Sequence, residues 1–211
     1  RKLLQDEPGI MRLRLSSMDP ASPEIIKIMD IMAADRRMMR HMHLSMQSGA
    51  DDVLRRMGRR HNGELIRKIA GRGEEIGVTF SWDIICGFPG ETDELWAETM
   101  QLAEQTRPIK IHAFPFSPRP GTPAAEMTDL VPRAISKKRV KEISETAEQN
   151  RARFAKERLG EKVQVLVEEN NFARDEHDIT VRIEGTRIPP RTVCNVFLKD
   201  ITGDAFIGER E

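Results

Sequence analysis

Strand-like and helix-like segments alternate through the first half of this chain, and that alternation restricts the fold more than any other feature. The segments with the alternating or β-branched pattern of strands are 11–17, 41–46, 78–86 and 109–117. The segments with helical periodicity are 22–35, 50–57, 62–77 and 93–105. Strands separated by helices predict βαβ units and a parallel sheet, so we expect an α/β fold. Ligand-binding residues of such sheets lie where the strands end.

Capping residues predict where several of these helices begin and end. Ser22 and Pro23 suit the N-cap and the first position of the first predicted helix. Asn62 can cap the third helix, and Gly77 can end it. Thr92 can cap the fourth helix.

The pattern changes in the second half of the chain. Apolar residues recur at helical spacing over 132–158, which predicts a long helix. After Gly160, short strand-like segments separated by polar turns predict a small all-β domain. We therefore predict one domain at 1–159 and a second at 160–211. The strand-like segments of the second read EKVQVLVEE, HDITVRIEG, RTVCNVFLKDI and DAFIGERE.

Composition excludes several classes of protein. The chain is 38% hydrophobic and 32% charged, as folded soluble proteins are. No apolar run approaches the roughly 18 residues that cross a bilayer, so no membrane partner is expected. Cys86 and Cys194 are the only cysteines, which make no disulfide framework and are too few for a cysteine-only metal site. We expect a reducing, cytoplasmic compartment and no metal ligands.

Charge is unevenly distributed although the formal net charge is +0. Residues 51–73 carry seven Lys and Arg against three acidic residues, and residues 133–158 carry nine against four. Residues 161–211 carry seven against eleven. Basic segments form either solvated helix faces or surfaces for phosphate backbones, and the counts leave both readings open.

Gln47, Arg59 and Asp83 form the first candidate site. Gln47 and Asp83 lie towards the ends of consecutive predicted strands, and Arg59 follows one short helix after Gln47. An amide, a guanidinium and a carboxylate in one cleft can bind a ligand that carries a carboxylate and a ribose. The alternative is a structural hydrogen-bond network at the edge of the sheet.

Two further segments can contribute to this site. Ser17 and Asp19 end the first strand-like segment, although Asp19 before Pro20 also suits a simple turn. The sequence GFPGET at 87–92 leads into a helix N-terminus and can bring backbone N–H groups to a ligand. It lacks the glycine spacing and the lysine of a nucleotide-binding loop, so it is a weak phosphate site.

Four motifs together resemble one family. RLSSMDP, HLSMQSGADDVLRRMGRRH, DIICGFPGET and HAFPFSPRPGTPAAEM occur in this order and closely resemble the radical SAM methylthiotransferases. These enzymes insert a methylthio group into tRNA bases or a ribosomal protein. The variants HLSMQSG and FPFSPRPGTPAAEM are most similar to the branch that acts on threonylcarbamoyladenosine next to the tRNA anticodon. The resemblance covers nearly all of the chain.

The resemblance implies an architecture and reveals one departure from it. The family has an N-terminal cluster domain, a partial (β/α) radical SAM barrel and a terminal TRAM domain. This chain resembles the C-terminal half of the barrel followed by a small all-β TRAM-like domain. The CxxxCxxC motif that holds the family's [4Fe–4S] cluster is absent. We therefore expect the cluster ligands to belong to a longer parent protein, and this chain alone to be inactive and to hold no catalytic residue.

The resemblance also implies cofactor-binding residues. The family and related radical SAM enzymes hold S-adenosyl-L-methionine (SAM) with residues placed like Gln47, Arg59 and Asp83. Ser17 matches a further acidic or hydroxyl position. Arg60 is the alternative if Arg59 points outward.

For partners, the resemblance implies tRNA. Arg182, Arg187 and Arg191 are the expected nucleic-acid contacts on the terminal domain. Two alternatives stay open, a non-catalytic RNA-binding module and a methylthiotransferase that acts on a ribosomal protein. Residues 11–17 are expected to form an exposed sheet edge that can pair with a second copy, and a monomer in light scattering would contradict this self-association.

Overall fold

The structure is a computed structural model that describes residues 2–211. The helices are α1 (Lys2–Asp6), α2 (Ile25–Ala34), α3 (Asp51–Arg56), α4 (Gly63–Ile76), α5 (Asp93–Thr106) and α6 (Arg133–Glu157). The strands of the first half are β1 (His41–Gln47), β2 (Thr79–Cys86) and β3 (Lys110–Pro115). The strands of the second half are β4 (Lys162–Glu169), β5 (Phe172–Arg174), β6 (Thr180–Glu184), β7 (Val193–Thr202) and β8 (Ala205–Arg210). A short 3-10 helix spans Pro123–Glu126.

Strands β1, β2 and β3 form a parallel sheet in that order, as the alternation predicts. Helices α3 and α4 connect β1 to β2, and α5 connects β2 to β3. One face of the sheet is apolar, because Met42, Leu44, Trp82 and Ile84 are all at most 1% exposed. These side chains join one hydrophobic core with residues of α2, α4, α5 and α6. Because the three strands are parallel, their carboxyl ends lie at one edge of the sheet.

The predicted strand at 11–17 is only partly correct. The segment runs parallel to β1, but it makes isolated bridges at Leu13 with Met38 and at Met18 with Leu44 instead of a continuous ladder. The backbone bonds on either side of these two residues are ordinary, with N···O distances of 2.6–2.9 Å. The strand pattern therefore correctly predicted that this segment lies beside the sheet. It did not predict that its pairing is limited to isolated bridges.

The physical reason lies in the two arginines that flank Leu13. Arg12 donates to the carbonyl oxygen of Arg174 and Arg14 donates to that of Asp175, each at 3.0 Å. Both acceptors belong to the second half of the chain. The segment 11–17 is thus held by contacts on two sides, and only one of them is a strand.

Capping residues predicted two of the three helix starts. The Asn62 side chain accepts from the backbone N–H of Leu65 at 2.9 Å, and Thr92 accepts from that of Leu95 at 3.3 Å. Gly77 ends α4 in the left-handed conformation, with a φ of 69°. Each of these signals is local, so the sequence alone is sufficient to find it.

The predicted start of α2 is wrong. Helix α2 begins at Ile25, not at Pro23, and Ser22 is not its N-cap. Residues Asp19 to Ser22 form a turn instead, because the backbone N–H of Ser22 donates to the Asp19 carbonyl at 2.9 Å. The Asp19 carboxylate accepts from the N–H of Ala21 at 2.9 Å, which is the turn role that the Asp-Pro pair also allowed.

In the second half, five strands close into a small barrel with the order β4-β5-β6-β8-β7, and β4 pairs with β7 to complete it. The inward residues Val165, Val181, Val196 and Phe206 are at most 1% exposed. Strand β5 was not predicted as a separate element. It follows a tight turn in which Asn170 and Asn171 both have positive φ, the conformation that two-residue hairpins need.

A buried ion pair joins the end of α6 to this barrel. Arg158, the C-cap of α6, lies 2.5 Å from Oδ2 of Asp175, and the two side chains are 6% and 0% exposed. The other carboxylate oxygen of Asp175 accepts from the N–H groups of His177 and Ile179 at 2.9 and 2.8 Å. This fully satisfied carboxylate orders the loop between β5 and β6 and joins it to the helix.

Candidate cofactor-binding site

The face of the sheet opposite the apolar core is polar. His43 is the register partner of Ser81, and Asp83 is that of His112. Because side chains alternate along a strand, these four point to the same side. The rings of His43 and His112 lie 5.5 Å apart, and both are half-buried. A ligand at this face therefore meets imidazoles, a hydroxyl and a carboxylate.

Asp83 lies on this face near the end of β2. Its Oδ2 lies 2.9 Å from Nε2 of His43, and its side chain is 29% exposed. Within residues 2–211, no other group bonds to this carboxylate. One of its oxygens is therefore engaged, and the other is available to a ligand.

Gln47 is brought next to Asp83 by the register of the sheet. Its partner across the ladder is Ile84, the residue that follows Asp83. Gln47 has a φ of 67°, a left-handed conformation that is unusual for a residue other than glycine and occurs mainly at functional or tightly held positions. The turn after it packs closely, because a Cβ on Gly49 would lie 2.7 Å from Cα of Thr99.

The segment that contains Arg59 is bonded to the same strand end through His61, two residues further along the chain. His61 lies 2.9 Å from the Met46 carbonyl oxygen and donates to it through Nε2. The Arg59 side chain is half-buried, and its guanidinium bonds to no group that the structure describes. Arg60 is exposed. The region thus holds Arg59 near the end of β1 with its donors available.

The other arginines of this region have ordinary partners. Arg55 pairs with Asp52 at 2.9 Å one helical turn away, and Arg56 pairs with Asp129 at 2.6 Å. The Arg55 contact fits a solvated helix face, whereas the Arg56 contact joins α3 to the loop before α6. The doubled arginine pairs of the motif are therefore not one basic patch.

Ser17 also reaches the end of β1. Its hydroxyl lies 2.7 Å from that of Ser45, which shares the polar face with His43. Ser17 is exposed. The structure therefore places Ser17 beside the strand that ends in Gln47, on the opposite side from β2.

The loop GFPGET is not an open phosphate cradle. The N–H of Gly87 donates to the Glu91 carboxylate at 2.6 Å, and the N–H of Gly90 donates to the Asp129 carbonyl at 2.8 Å. The N–H of Glu91 donates to the Phe88 carbonyl at 2.9 Å. Because these donors already have partners, the weak phosphate interpretation of the loop receives no support.

The cysteines do not suit an iron–sulfur cluster. Cys86 is buried in the core, and this burial raises the pKa of its thiol to about 12. Cys194 is half-buried in the barrel. No group of three or more His, Cys, Asp or Glu side chains in residues 2–211 is arranged to hold a metal ion.

The three arginines predicted for nucleic acid are only partly brought together. Arg182 and Arg187 line one shallow depression of about 500 Å³ with Asn170 and Asn171. Arg191 does not line it. Arg191 lies in the loop before β7, with a φ of 65°.

Phe172 was not predicted as part of this surface, but it is the cross-strand partner of Arg182 and is 45% exposed.

His43 and Ser81 were likewise absent from the predicted cofactor site. The contacts of His43 with Asp83 and with Ser81 depend on the register between β1 and β2. The one signal in the sequence was the alternation of side chains along each strand, which puts His43 on one face of β1 and Asp83 on one face of β2.

The chain was compared with known families and proteins. The model of the radical SAM superfamily matches residues 1–103. The threonylcarbamoyladenosine tRNA methylthiotransferase of Rickettsia prowazekii is 38% identical over 188 residues, which cover 87% of this chain and 44% of that protein. The Thermotoga maritima protein of the same name is 39% identical over 171 residues, covering 79% and 39%. The chain thus spans less than half the length of either relative.

Among solved structures, the coproporphyrinogen III oxidase of Escherichia coli, a radical SAM enzyme, superposes with a TM-score of 0.55. The match covers 89% of this chain and 46% of that one, at 15% identity, so it concerns the fold alone. It supports the expected partial radical SAM barrel. Among residues 2–211, no helix is both long enough and apolar enough to cross a membrane.

Proposed function

Because the chain belongs to the radical SAM methylthiotransferase family, we propose that it is part of an enzyme that adds a methylthio group to a tRNA adenosine. SAM binds at the carboxyl ends of β1 and β2 in this proposal. The proposed substrate is threonylcarbamoyladenosine next to the anticodon. That choice follows the names of the two relatives that are 38% and 39% identical.

The observation that supports the proposal is the position of Gln47, Arg59 and Asp83 around the carboxyl end of β1. The ladder partner of Gln47 is Ile84, which follows Asp83. His61, two residues after Arg59, donates to the Met46 carbonyl oxygen next to the end of β1. The Arg59 guanidinium and one Asp83 oxygen have no partner within residues 2–211, although neither side chain is fully exposed. Partly buried polar groups with spare bonding capacity fit a polar ligand.

Each side chain has a distinct role toward SAM. The planar Arg59 guanidinium can bind the methionyl carboxylate through two N–H groups, and Asp83 can accept from ribose hydroxyls. The Gln47 amide can donate and accept, and it orients the ligand between them. Ser17 adds a hydroxyl from the neighbouring segment. When bound, SAM supplies the 5′ carbon and the methyl group that the reaction needs.

The [4Fe–4S] cluster of the family is assigned to the longer parent protein, because Cys86 and Cys194 are fewer than the three thiolates of the family's cluster motif. The division of the chain at 159/160, the TRAM-like identity of the barrel and a cytoplasmic location belong to the same proposal. So does pairing of the edge at 11–17 with a second copy.

Binding of SAM tests the site directly. We expect Arg59→Ala and Asp83→Ala each to weaken SAM binding about tenfold or more, because each removes a hydrogen bond to a charged group. Isothermal titration calorimetry measures the change. Arg55→Ala is the matched control, since Arg55 is exposed and pairs with Asp52, and its Kd should equal that of the wild type.

Two results would contradict these assignments separately. Unchanged binding in both variants would show that SAM, if bound, lies elsewhere. Nucleoside mass spectrometry of tRNA from cells that lack the full-length gene tests the substrate. Persistence of the methylthiolated nucleoside in those cells would show that the substrate is wrong.

The surface proposed for tRNA combines a charge with an aromatic ring. Arg182 and Phe172 are cross-strand partners on the outside of the barrel, and Arg187 lines the depression next to them. Guanidinium groups bind phosphates, and an exposed aromatic ring can stack on an unpaired base. Arg191 is retained as a third contact from a neighbouring loop.

Salt dependence tests this surface. The double variant Arg182→Ala/Arg187→Ala is expected to weaken tRNA binding and to lower the slope of log K against log salt by about two. Lys199→Ala is the control, because Lys199 is also exposed on the barrel but pairs with Glu209 at 2.8 Å. An equal loss in both variants would indicate a non-specific charge effect and would contradict the proposed surface.

A non-catalytic RNA-binding module is the second candidate function. The paired Phe172 and Arg182 favour it, since they need no cofactor. Binding of tRNA without any binding of SAM would select this candidate over the first. A ribosomal-protein substrate would instead give methylthiolation of a protein and no change in tRNA.

A further inference from the structure

A row of side-chain contacts on the polar face ends at Asp83. The Ser81 hydroxyl lies 2.9 Å from Nε2 of His41 and 2.7 Å from Nδ1 of His43. Nε2 of His43 then lies 2.9 Å from Oδ2 of Asp83. The row passes from β1 to β2 and back because His43 and Ser81 are register partners.

The carboxylate determines where the protons of this row lie. An ionised Asp83 can only accept, so a nitrogen 2.9 Å away must carry a proton, and that nitrogen is Nε2 of His43. In the neutral ring Nδ1 is then the acceptor, and the Ser81 hydroxyl donates to it. The oxygen of Ser81 in turn accepts from Nε2–H of His41. Every donor therefore points toward Asp83.

The far end of the row agrees with this order. Burial lowers the pKa of His41 to about 4, so its ring is neutral and has one donor and one acceptor. With Nε2 as the donor, Nδ1 can accept a hydrogen bond from the Thr79 hydroxyl, which lies 3.0 Å away. The Arg40 carbonyl oxygen, at 3.2 Å, is a second acceptor for the one proton of that hydroxyl.

We propose that His43 is a positioning residue for SAM, which holds one oxygen of Asp83 so that the other is presented to the ribose hydroxyls. The inference rests on the proposed function, because it requires that Asp83 binds the ribose. A carboxylate on a rotatable bond has two equivalent orientations in solution. Fixing it before the ligand arrives lowers the entropy lost on binding, and Ser81 supports the fixed state by setting the tautomer of His43.

Two substitutions at His43 separate a positioning role from a packing role. His43→Phe keeps the ring and removes the donor, and we expect it to weaken binding of S-adenosylhomocysteine about tenfold. His43→Gln replaces the donor with an amide N–H at a similar distance, and we expect binding within about threefold of the wild type. Arg55→Ala is the control, since Arg55 is exposed, pairs with Asp52 and lies outside the row, and we expect an unchanged Kd.

Two further measurements test the mechanism itself. Nitrogen-15 NMR of the wild type should report the Nε2–H tautomer at His43, and Ser81→Ala should mix the tautomers. In an Asp83→Asn background, His43→Phe should cause no further loss, because its effect passes through the carboxylate.

The outcomes are distinguishable. If the wild type binds S-adenosylhomocysteine and a folded His43→Phe binds equally well, the positioning role is wrong while the proposed function stands. Equal weakening by His43→Phe and His43→Gln would also overturn it, since packing would then explain both. If the wild type itself does not bind, the proposed function fails and the inference falls with it.

Discussion

Replacing Glu91 with alanine is expected to lower the free energy of unfolding by about 3–5 kcal/mol, the usual cost of breaking a buried ion pair from one side. Oε2 of Glu91 lies 2.7 Å from Nη1 of Arg139, and the two side chains are 1% and 3% exposed. Arg139 also donates to the Glu91 carbonyl at 3.0 Å and to Asp93 at 2.7 Å. The variant leaves a buried guanidinium with Asp93 as its one remaining acidic partner.

The environment of Glu91 explains the expected size of this effect. Burial raises the pKa of Glu91, and the Gly87 N–H and the Arg139 guanidinium oppose that shift. Oε1 of Glu91 and Nε of Arg139 have no partner within residues 2–211. The pair thus depends on few contacts, and losing one of them is costly.

Urea denaturation followed by circular dichroism measures the loss. Glu98→Ala is the matched control, since this glutamate is exposed on α5, and we expect a change below about 0.5 kcal/mol. The double variant Glu91→Leu/Arg139→Met should recover most of the stability, because no unpaired charge remains buried. A Glu91→Ala protein as stable as the wild type would falsify this account.

Acidification is expected to produce the second large effect, through His41 and His177. Burial lowers the pKa of each ring from 6.5 to about 4. In the unfolded chain both protonate near pH 6.5, so the unfolded state binds more protons between pH 6.5 and 4. Stability is therefore fully present above pH 6.5 and is lost as the pH falls through this window. Each unit of pKa difference corresponds to about 1.4 kcal/mol, which gives roughly 3 kcal/mol for each ring.

The charged groups around these rings act in both directions. Asp178 favours the protonated form of His41, whereas Arg14, His177 and His43 oppose it. Because a protonated His177 opposes protonation of His41, the two contributions are not additive. The combined loss should therefore be judged from the shape of the pH profile and not from a sum.

Unfolding by urea at several pH values between 4 and 7 measures this effect. The variants His41→Gln and His177→Gln should each flatten the profile between pH 4 and 6.5, because neither amide titrates. A control at an exposed, non-titrating site such as Gln101→Ala should keep the slope. Stability independent of pH across this window in the wild type would contradict burial of neutral rings.

Features that depend on a few neighbouring residues were predictable from the sequence. Asn62 and Thr92 were correctly identified as helix caps because a cap bonds to an N–H three residues ahead. The strand-end rule placed Gln47 correctly at the end of β1, whereas Asp83 lies inside β2, one residue before Ile84, the ladder partner of Gln47. These inferences need periodicity and chain order but no knowledge of register.

Features that depend on long-range pairing were not predictable. The contact between His43 and Asp83 requires the register of β1 against β2. The buried pair of Glu91 and Arg139 joins residues 48 apart in the chain. Strand-like alternation at 11–17 was real, but its ladder was limited by contacts with a distant loop. In each case the deciding partner lies far away in the sequence.

Helix α6 acts as a spacer whose length is set by residue count. Arg139 near its start is held by the loop after β2, and Arg158 at its end is held by the barrel. The helix has 25 residues, a rod of about 37 Å. Inserting one residue would turn the barrel by about 100° and push it about 1.5 Å outward, whereas seven residues would nearly restore its phase. The length of α6 therefore sets both the distance and the angle between the sheet edge and the barrel surface. A change of two whole helical turns keeps the angle, whereas a change of one residue does not.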